Sequence, residues 1–142
     1  MVENKKAIIV SGYFNPLHLG HIEYFHNAKA HANILIVIVN NDYQRSLKGS
    51  KEFMNEKERV DILKELRIVD EVLLSVDNTK DVSKSIQMVY KKFSKKYEIL
   101  FGNGGDQNNS SIPEIKICKK LDIKLIDKLG DKIQSSSWLL KK

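Results

Sequence analysis

Cysteine is almost absent from this sequence; the one example is Cys118. That excludes a disulfide within the chain and any thiolate-based metal cage. A single thiol inside a periodic apolar segment reads as a small core residue, and a chain this poor in cysteine suits a reducing compartment. Proline is nearly as scarce, with only Pro16 and Pro113, so no proline-rich linker divides the chain. Long apolar runs are missing too. The longest, Ile34 to Val39, is far too short to cross a bilayer. The segment Met1 to Lys6 lacks the apolar stretch of a secretory signal. The expectation is a soluble, cytoplasmic protein with no membrane partner.

What is present is ordinary for a globular domain. A length of 142 residues suits one domain over 1–142, with 42% apolar and 30% charged residues. The net charge of +6, from 24 Lys+Arg against 18 Asp+Glu, favours anionic ligands without distinguishing nucleotides from nucleic acid. Lys91, Lys92, Lys95 and Lys96 recur at helical spacing, but no aromatic residues interleave with them. They read as a solvated helix face, so nucleic acid is not an expected partner.

Strand-like and helix-like segments alternate, which predicts an α/β fold: a Rossmann-like, doubly wound parallel sheet of about five strands with helices on both faces. Ala7–Val10, Ile34–Val39, Glu71–Ser75, Glu98–Phe101 and Ile123–Ile126 are the predicted strands. Helices are predicted from Gly20 to His31, after an Asn55 cap with Glu58 three residues on, and after an Asp81 cap with Val82, Ile86, Val89 and Phe93 as one stripe. Further helices are predicted after Pro113 and from Ser135 to Leu140. Tyr43 to Phe53 reads as a polar loop. In such sheets ligands bind beyond the carboxyl ends of the strands, which directs attention to residues 11–21, 40–53, 102–111 and 130–137.

The first of these loops runs Ser11-Gly12-Tyr13-Phe14-Asn15-Pro16-Leu17-His18-Leu19-Gly20-His21. Gly12 follows a buried strand, where the backbone must turn and can approach a ligand closely. His18 and His21, three apart at the opening of a helix, fall on one side of its N-terminus. Gly20 between them leaves room for a phosphate against the backbone, and free helix N–H groups favour an anion there. Such a site suits attack at an α-phosphate, whose developing charge needs donors. Two other readings of the pair stay open: simple capping and packing of the helix, or a metal site, although no Cys, Asp or Glu lies close by in sequence to complete one.

Gly12 to His21 resembles the GxFDxxHxGH signature of the cytidylyltransferase-like nucleotidylyltransferases. Members include glycerol-3-phosphate and phosphoethanolamine cytidylyltransferases, heptose 1-phosphate adenylyltransferases and archaeal FAD synthetases. The resemblance runs over nearly the whole chain. It implies catalytic roles for His18, His21 and Lys48, the last in Leu47-Lys48-Gly49 after the second strand. It implies nucleotide contacts from Gly12, Tyr13, Phe14, Asn15 and Gly20; from Arg59, which could instead take the acceptor phosphate; from Gly105 and Asp106 in a Gly104-Gly105-Asp106 turn; and from Ser135, Ser136 and Ser137 at a last helix start. Arg67, in a stretch resembling RxVDEV, could reach the acceptor or pair with Asp70 or Glu71. The resemblance also implies Mg2+ carried by the nucleoside triphosphate rather than by a protein metal site, and a homodimer.

Three departures bear on the substrate. Asn15 stands where Asp is commoner. The arginine that cytidylyltransferases carry before the final motif is replaced by Gly130-Asp131, with Lys132 as a substitute. The Gly104-Gly105-Asp106 turn is closer to heptose 1-phosphate adenylyltransferases. The RxVDEV-like stretch from Arg67 to Val72 suggests transfer of CMP from CTP to a phosphorylated alcohol or sugar, while these departures keep open transfer of AMP from ATP to a sugar 1-phosphate, and a non-catalytic nucleotide-binding module is a further alternative. Asp81-Val82-Ser83-Lys84-Ser85 resembles the KMSKS loop of class I aminoacyl-tRNA synthetases. It opens a predicted helix between strands three and four rather than following the last strand, and reads as a helix cap.

Overall fold

The computed structural model describes residues 5–49, 51–103, 113–126 and 129. Within them the order is β1 (Lys5–Gly12), α1 (Leu19–Lys29), β2 (Ile34–Val39), α2 (Asp42–Lys48), α3 (Glu56–Lys64), β3 (Glu71–Leu74), α4 (Ser83–Phe93), β4 (Tyr97–Gly102), α5 (Ile115–Lys120) and β5 (Lys124–Ile126). All five strands are parallel, in the order β3-β2-β1-β4-β5. The chain winds outward from β1 in both directions, so the switch point lies at the carboxyl ends of β1 and β4. The predicted α/β sheet is the one observed.

Alternation along the central strands sorts their side chains into two cores. Ala7, Ile9, Ile36, Ile38, Ile99 and Phe101 meet Val82, Ile86 and Val89 of the α4 segment and Ile117 and Cys118 of α5. Ile8, Val10, Leu35, Val37, Val39 and Leu100 meet Phe25 and Ala28 of α1 and Leu63 of α3. Helices thus cover both faces, which explains why β1 and β2 read as continuous apolar runs rather than alternating ones. Each fully buried Ile, Leu or Val contributes roughly 1.5–3 kcal/mol. Burial pushes the Cys118 thiol up to about 12, in keeping with its place in the core. No helix among the described residues is long and apolar enough to cross a membrane.

Several local expectations need correction. Residues 42–48 are helix α2, not loop. Asn41 Oδ1 accepts from Gln44 N at 2.8 Å and Gln44 Oε1 accepts from Asn41 N at 2.9 Å, a reciprocal capping box. Gly49 closes the helix at φ 82°. Asn55 does cap α3, accepting from Glu58 N; the Glu56 side chain meanwhile accepts from Asp42 N, tying α3 to α2. Asp81 is not the main cap of α4. Asp77, buried, accepts from the amides of Lys84 and Ser85 and from the Ser85 hydroxyl, while Asp81 Oδ2 accepts from Ser83 N at 3.3 Å; both carboxylates balance the positive helix start, Asp77 with more bonds. Pro113 precedes the N-cap Glu114 instead of occupying the first helical turn. Lys91 and Lys92 occupy the last turn of α4, where cations suit the helix dipole. The helix predicted from Ser135 lies outside the described residues.

Candidate active site

The site is built from the loop that leaves β1. Gly12 is required by packing: a Cβ there would lie 2.8 Å from Phe14 Cζ. Phe14 takes a left-handed backbone at φ 53°, a conformation unfavourable for a bulky residue by about 1–2 kcal/mol. Its burial offsets this. The ring is 2% exposed and packs edge-on against Phe25 at 5.5 Å and His21 at 4.9 Å. Phe14 is therefore the floor on which His21 rests.

His18 and His21 fix each other. His18 is the N-cap of α1; its Nδ1 accepts from Gly20 N at 3.1 Å, and His21 Nδ1 accepts from His18 N at 3.0 Å. The rings stack with centroids 3.9 Å apart. An Nδ1 that accepts carries no proton, so each neutral ring holds its hydrogen on Nε2. Among the described residues neither Nε2 has a protein partner, which leaves two N–H donors free on rings whose planes lie 30° apart. Burial, and then the neighbouring His18, lower the pKa of His21 to about 4. At neutral pH it is an uncharged donor. Capping and donation, taken from sequence as alternatives, are compatible: Nδ1 serves one and Nε2 the other. The amide of Gly20 faces His18 Nδ1, so it is not free for an anion.

Lys48, the last residue of α2, places Nζ 4.4 Å from the centroid of the Tyr13 ring. The end of α2 is thereby joined to the loop that carries the histidines. Asn15 is a clasp: its Oδ1 accepts from the amides of Phe53 and Met54 at 2.8 and 2.9 Å, and its Nδ2 donates to Lys51 O at 2.7 Å. A carboxylate could not make the last bond, which gives a reason for Asn where the family more often has Asp.

Arg59 differs most from expectation. It is 1% exposed, with Nε donating to Met54 O (3.1 Å), Nη1 to Tyr13 O (2.7 Å) and Asn40 O (2.6 Å), and Nη2 to Asp42 Oδ1 (2.7 Å). Four of its five N–H groups are engaged by protein. It binds together the loops leaving β1 and β2 and the start of α3, rather than presenting its charge to a triphosphate or acceptor oxygen.

Arg67 stands elsewhere. It precedes β3 and so lies at the amino ends of the strands. The adjoining Asp70 accepts from Leu35 N and pairs with Lys29 at the start of β2 and the end of α1. Arg67 lines an open groove of about 440 Å³ with Ile22, His26, Lys29, Leu66 and Ile68. Residues 19–29 of α1 span roughly 15 Å at 1.5 Å per residue, and the histidines stand at the other end. Arg67 is therefore not brought to the histidine site. Gly105, Asp106, Ser135, Ser136 and Ser137 lie outside the described residues.

Sequence reasoning overlooks Tyr24, Asp42 and Glu114. The Tyr24 hydroxyl donates to Gly102 O at 3.0 Å, bridging α1 to the end of β4 at the switch point. Glu114 Oε2 accepts from Val82 N; burial raises its pKa, with Asp81 and Asp77 adding to the effect. Of the three, only Asp42 carries a sequence signal, as an acid in the first turn behind the Asn41-x-x-Gln44 pair.

Comparison with known proteins gives the family and the fold. The family model described as Cytidylyltransferase-like matches residues 9–121. An FAD synthase of Picrophilus torridus is 31% identical over 134 residues, covering 92% of this chain and 90% of that protein. The bifunctional protein HldE of Geobacter metallireducens is 36% identical over 77 residues, 53% of this chain; the match spans only 16% of that protein. A solved lipopolysaccharide core biosynthesis protein from Thermoplasma volcanium has the same fold, with a TM-score of 0.71 at 24% identity over 88% of this chain and 97% of that one. The chain belongs to the cytidylyltransferase-like family of nucleotidyltransferases.

Proposed function

We propose that this protein transfers a nucleoside monophosphate from a nucleoside triphosphate to a phosphorylated small molecule, releasing pyrophosphate. The observation that carries the reading is the pair of His18 and His21 Nε2 donors, on stacked rings fixed by the reciprocal cap and free of protein partners among the described residues. An acceptor phosphate oxygen, already anionic, attacks the α-phosphorus, and the bond to the bridging oxygen of pyrophosphate breaks. Charge on the α-oxygens is met by the two imidazoles. His21, neutral at pH 7, donates without needing to be charged. Lys48 reaches the departing phosphates from the end of α2.

A magnesium ion fits the scheme as a companion of the triphosphate. Among the described residues no group of three or more His, Cys, Asp or Glu is placed to hold a metal, and Mg2+ is commonly held by substrate phosphates and water. It would neutralise phosphate charge; the residues above orient the reacting groups.

The donor we favour is ATP. Support comes from the FAD synthase relative, matched over most of both chains and named for a product that carries an adenylyl group. It also comes from the Gly104-Gly105-Asp106 sequence and from the absence of the arginine before the final serines. CTP is the second reading. Its support is the Arg67 to Val72 stretch, which begins at the amino ends of the strands. A flavin phosphate and a sugar 1-phosphate are the acceptors to try first. A homodimer and a cytoplasmic location, expected from the sequence, belong to the same proposal.

The test is pyrophosphate release. The protein is incubated with Mg2+ and each of ATP, CTP, GTP and UTP, against flavin mononucleotide, sugar 1-phosphates and glycerol 3-phosphate. We expect release with ATP and one acceptor class. Release with CTP alone would move the assignment to the second reading, and no release with any pair would remove the catalytic one.

A further inference from the structure

We propose that Tyr13 is a positioning residue whose ring face holds the Lys48 ammonium against the loop that carries the histidine pair. The inference rests on the reading of Lys48 as a contact for the departing phosphates. Lys48 is exposed at the end of a seven-residue helix, and its long stem carries roughly 2 kcal/mol of rotamer freedom that must be restrained before the charge can be aimed. No carboxylate pairs with it among the described residues. Among the described residues its ammonium meets the Tyr13 ring, with Nζ 4.4 Å from the centroid, well inside the range of about 6 Å over which a ring attracts a cation.

The choice of partner matters. A carboxylate would hold the ammonium but cancel the charge a phosphate needs. An aromatic face orients the ammonium and leaves its full charge available. Tyr13 is a firm anchor because its carbonyl accepts from buried Arg59 at 2.7 Å and its neighbours Gly12 and Phe14 are fixed by packing. The phenolic oxygen has no hydrogen bond among the described residues, so the ring and not the hydroxyl is the working part. Arg59 thus acts on the site at second hand: it holds Tyr13, and Tyr13 holds Lys48.

The experiment uses the full chain as wild type, Tyr13→Phe, Tyr13→Leu, Lys48→Ala and the Tyr13→Leu/Lys48→Ala double variant, with two readouts. The first is the NMR shift of the Lys48 ε-methylene protons. A ring above them moves these protons upfield in the wild type and in Tyr13→Phe, and they return to the ordinary lysine position in Tyr13→Leu. The second is kcat for pyrophosphate release. Tyr13→Leu and Lys48→Ala are each expected to slow turnover by about tenfold, the double variant no further than Lys48→Ala alone, and Tyr13→Phe to restore the rate lost in Tyr13→Leu.

Unshifted ε-protons in the wild type, or losses that multiply in the double variant, would overturn the proposal. So would wild-type turnover in Tyr13→Leu beside a slow Lys48→Ala. If the wild type releases no pyrophosphate with any nucleotide, the proposed reaction is what has failed, and the ε-proton shift alone decides the pairing.

Discussion

Acidifying the protein from pH 7.5 to 5 should destabilise it through His21. In the folded chain burial, followed by the adjacent His18, lowers the His21 pKa from 6.5 to about 4. Between those values the unfolded chain binds a proton that the folded chain does not, so the neutral ring's contribution is full above about pH 6.5 and is lost as pH falls towards 4. The part of that interval above pH 5, about 1.5 units, is worth at most about 2 kcal/mol at about 1.4 kcal/mol per pH unit. The ring is only half-buried, and solvent screening brings this to roughly 1 kcal/mol. Protonation at Nδ1 also breaks the bond from His18 N, so the cap loosens together with the stability. The assay is urea unfolding of the wild type and His21→Gln at pH 7.5, 6 and 5, with an NMR titration of the imidazole signals. The difference between the two proteins should shrink as pH falls, and His21 should titrate near 4 with its proton on Nε2 at neutral pH. A His21 that titrates near 6.5, or that carries its neutral proton on Nδ1, would refute the reasoning.

Other perturbations address the supports of the site. Gly12→Ala forces a Cβ against the Phe14 ring at 2.8 Å; we expect about 1–3 kcal/mol of lost stability in urea unfolding and about a 100-fold lower kcat as His21 shifts. Arg59→Met leaves the carbonyls of Tyr13, Asn40 and Met54 without this donor and takes the guanidinium from Asp42 Oδ1, and should cost about 3–5 kcal/mol in the same assay. Asn15→Ala removes the acceptor for the Phe53 and Met54 amides; hydrogen exchange at those two positions should quicken by about tenfold, while α4 amides stay unchanged.

Much of the fold is legible because the parallel sheet is buried on both faces. Ile34 to Val39 is apolar at every position, so its bounds as a strand follow directly, and the two histidines stand at a helix start as their spacing implies. Helix α2 escapes sequence reasoning because residues 43–53 are polar on average and only the ends of the helix are informative. Asn41 with Gln44 at its start, and Gly49 just past its last residue Lys48, are cap signals that composition hides. Arg59 is misread for a different reason. Its carbonyl partners on Tyr13 and Asn40 are 46 and 19 residues away, and no local pattern distinguishes an arginine that faces a ligand from one that joins two loops. Arg67 is more accessible to reasoning: a residue that precedes a parallel strand belongs to the end opposite the ligand crevice. The resemblance of its neighbourhood to a family stretch points the other way, and the topology decides.

The claim on which the account depends is that two imidazole donors stabilise charge at the α-phosphate. The most direct measurement is single-turnover rate and nucleotide affinity in His18→Ala and His21→Ala, with the donor and acceptor that the wild type turns over. The account predicts a loss of roughly 100- to 1000-fold in rate for each, with nucleotide affinity changed by much less. Either variant turning over at the wild-type rate would contradict it.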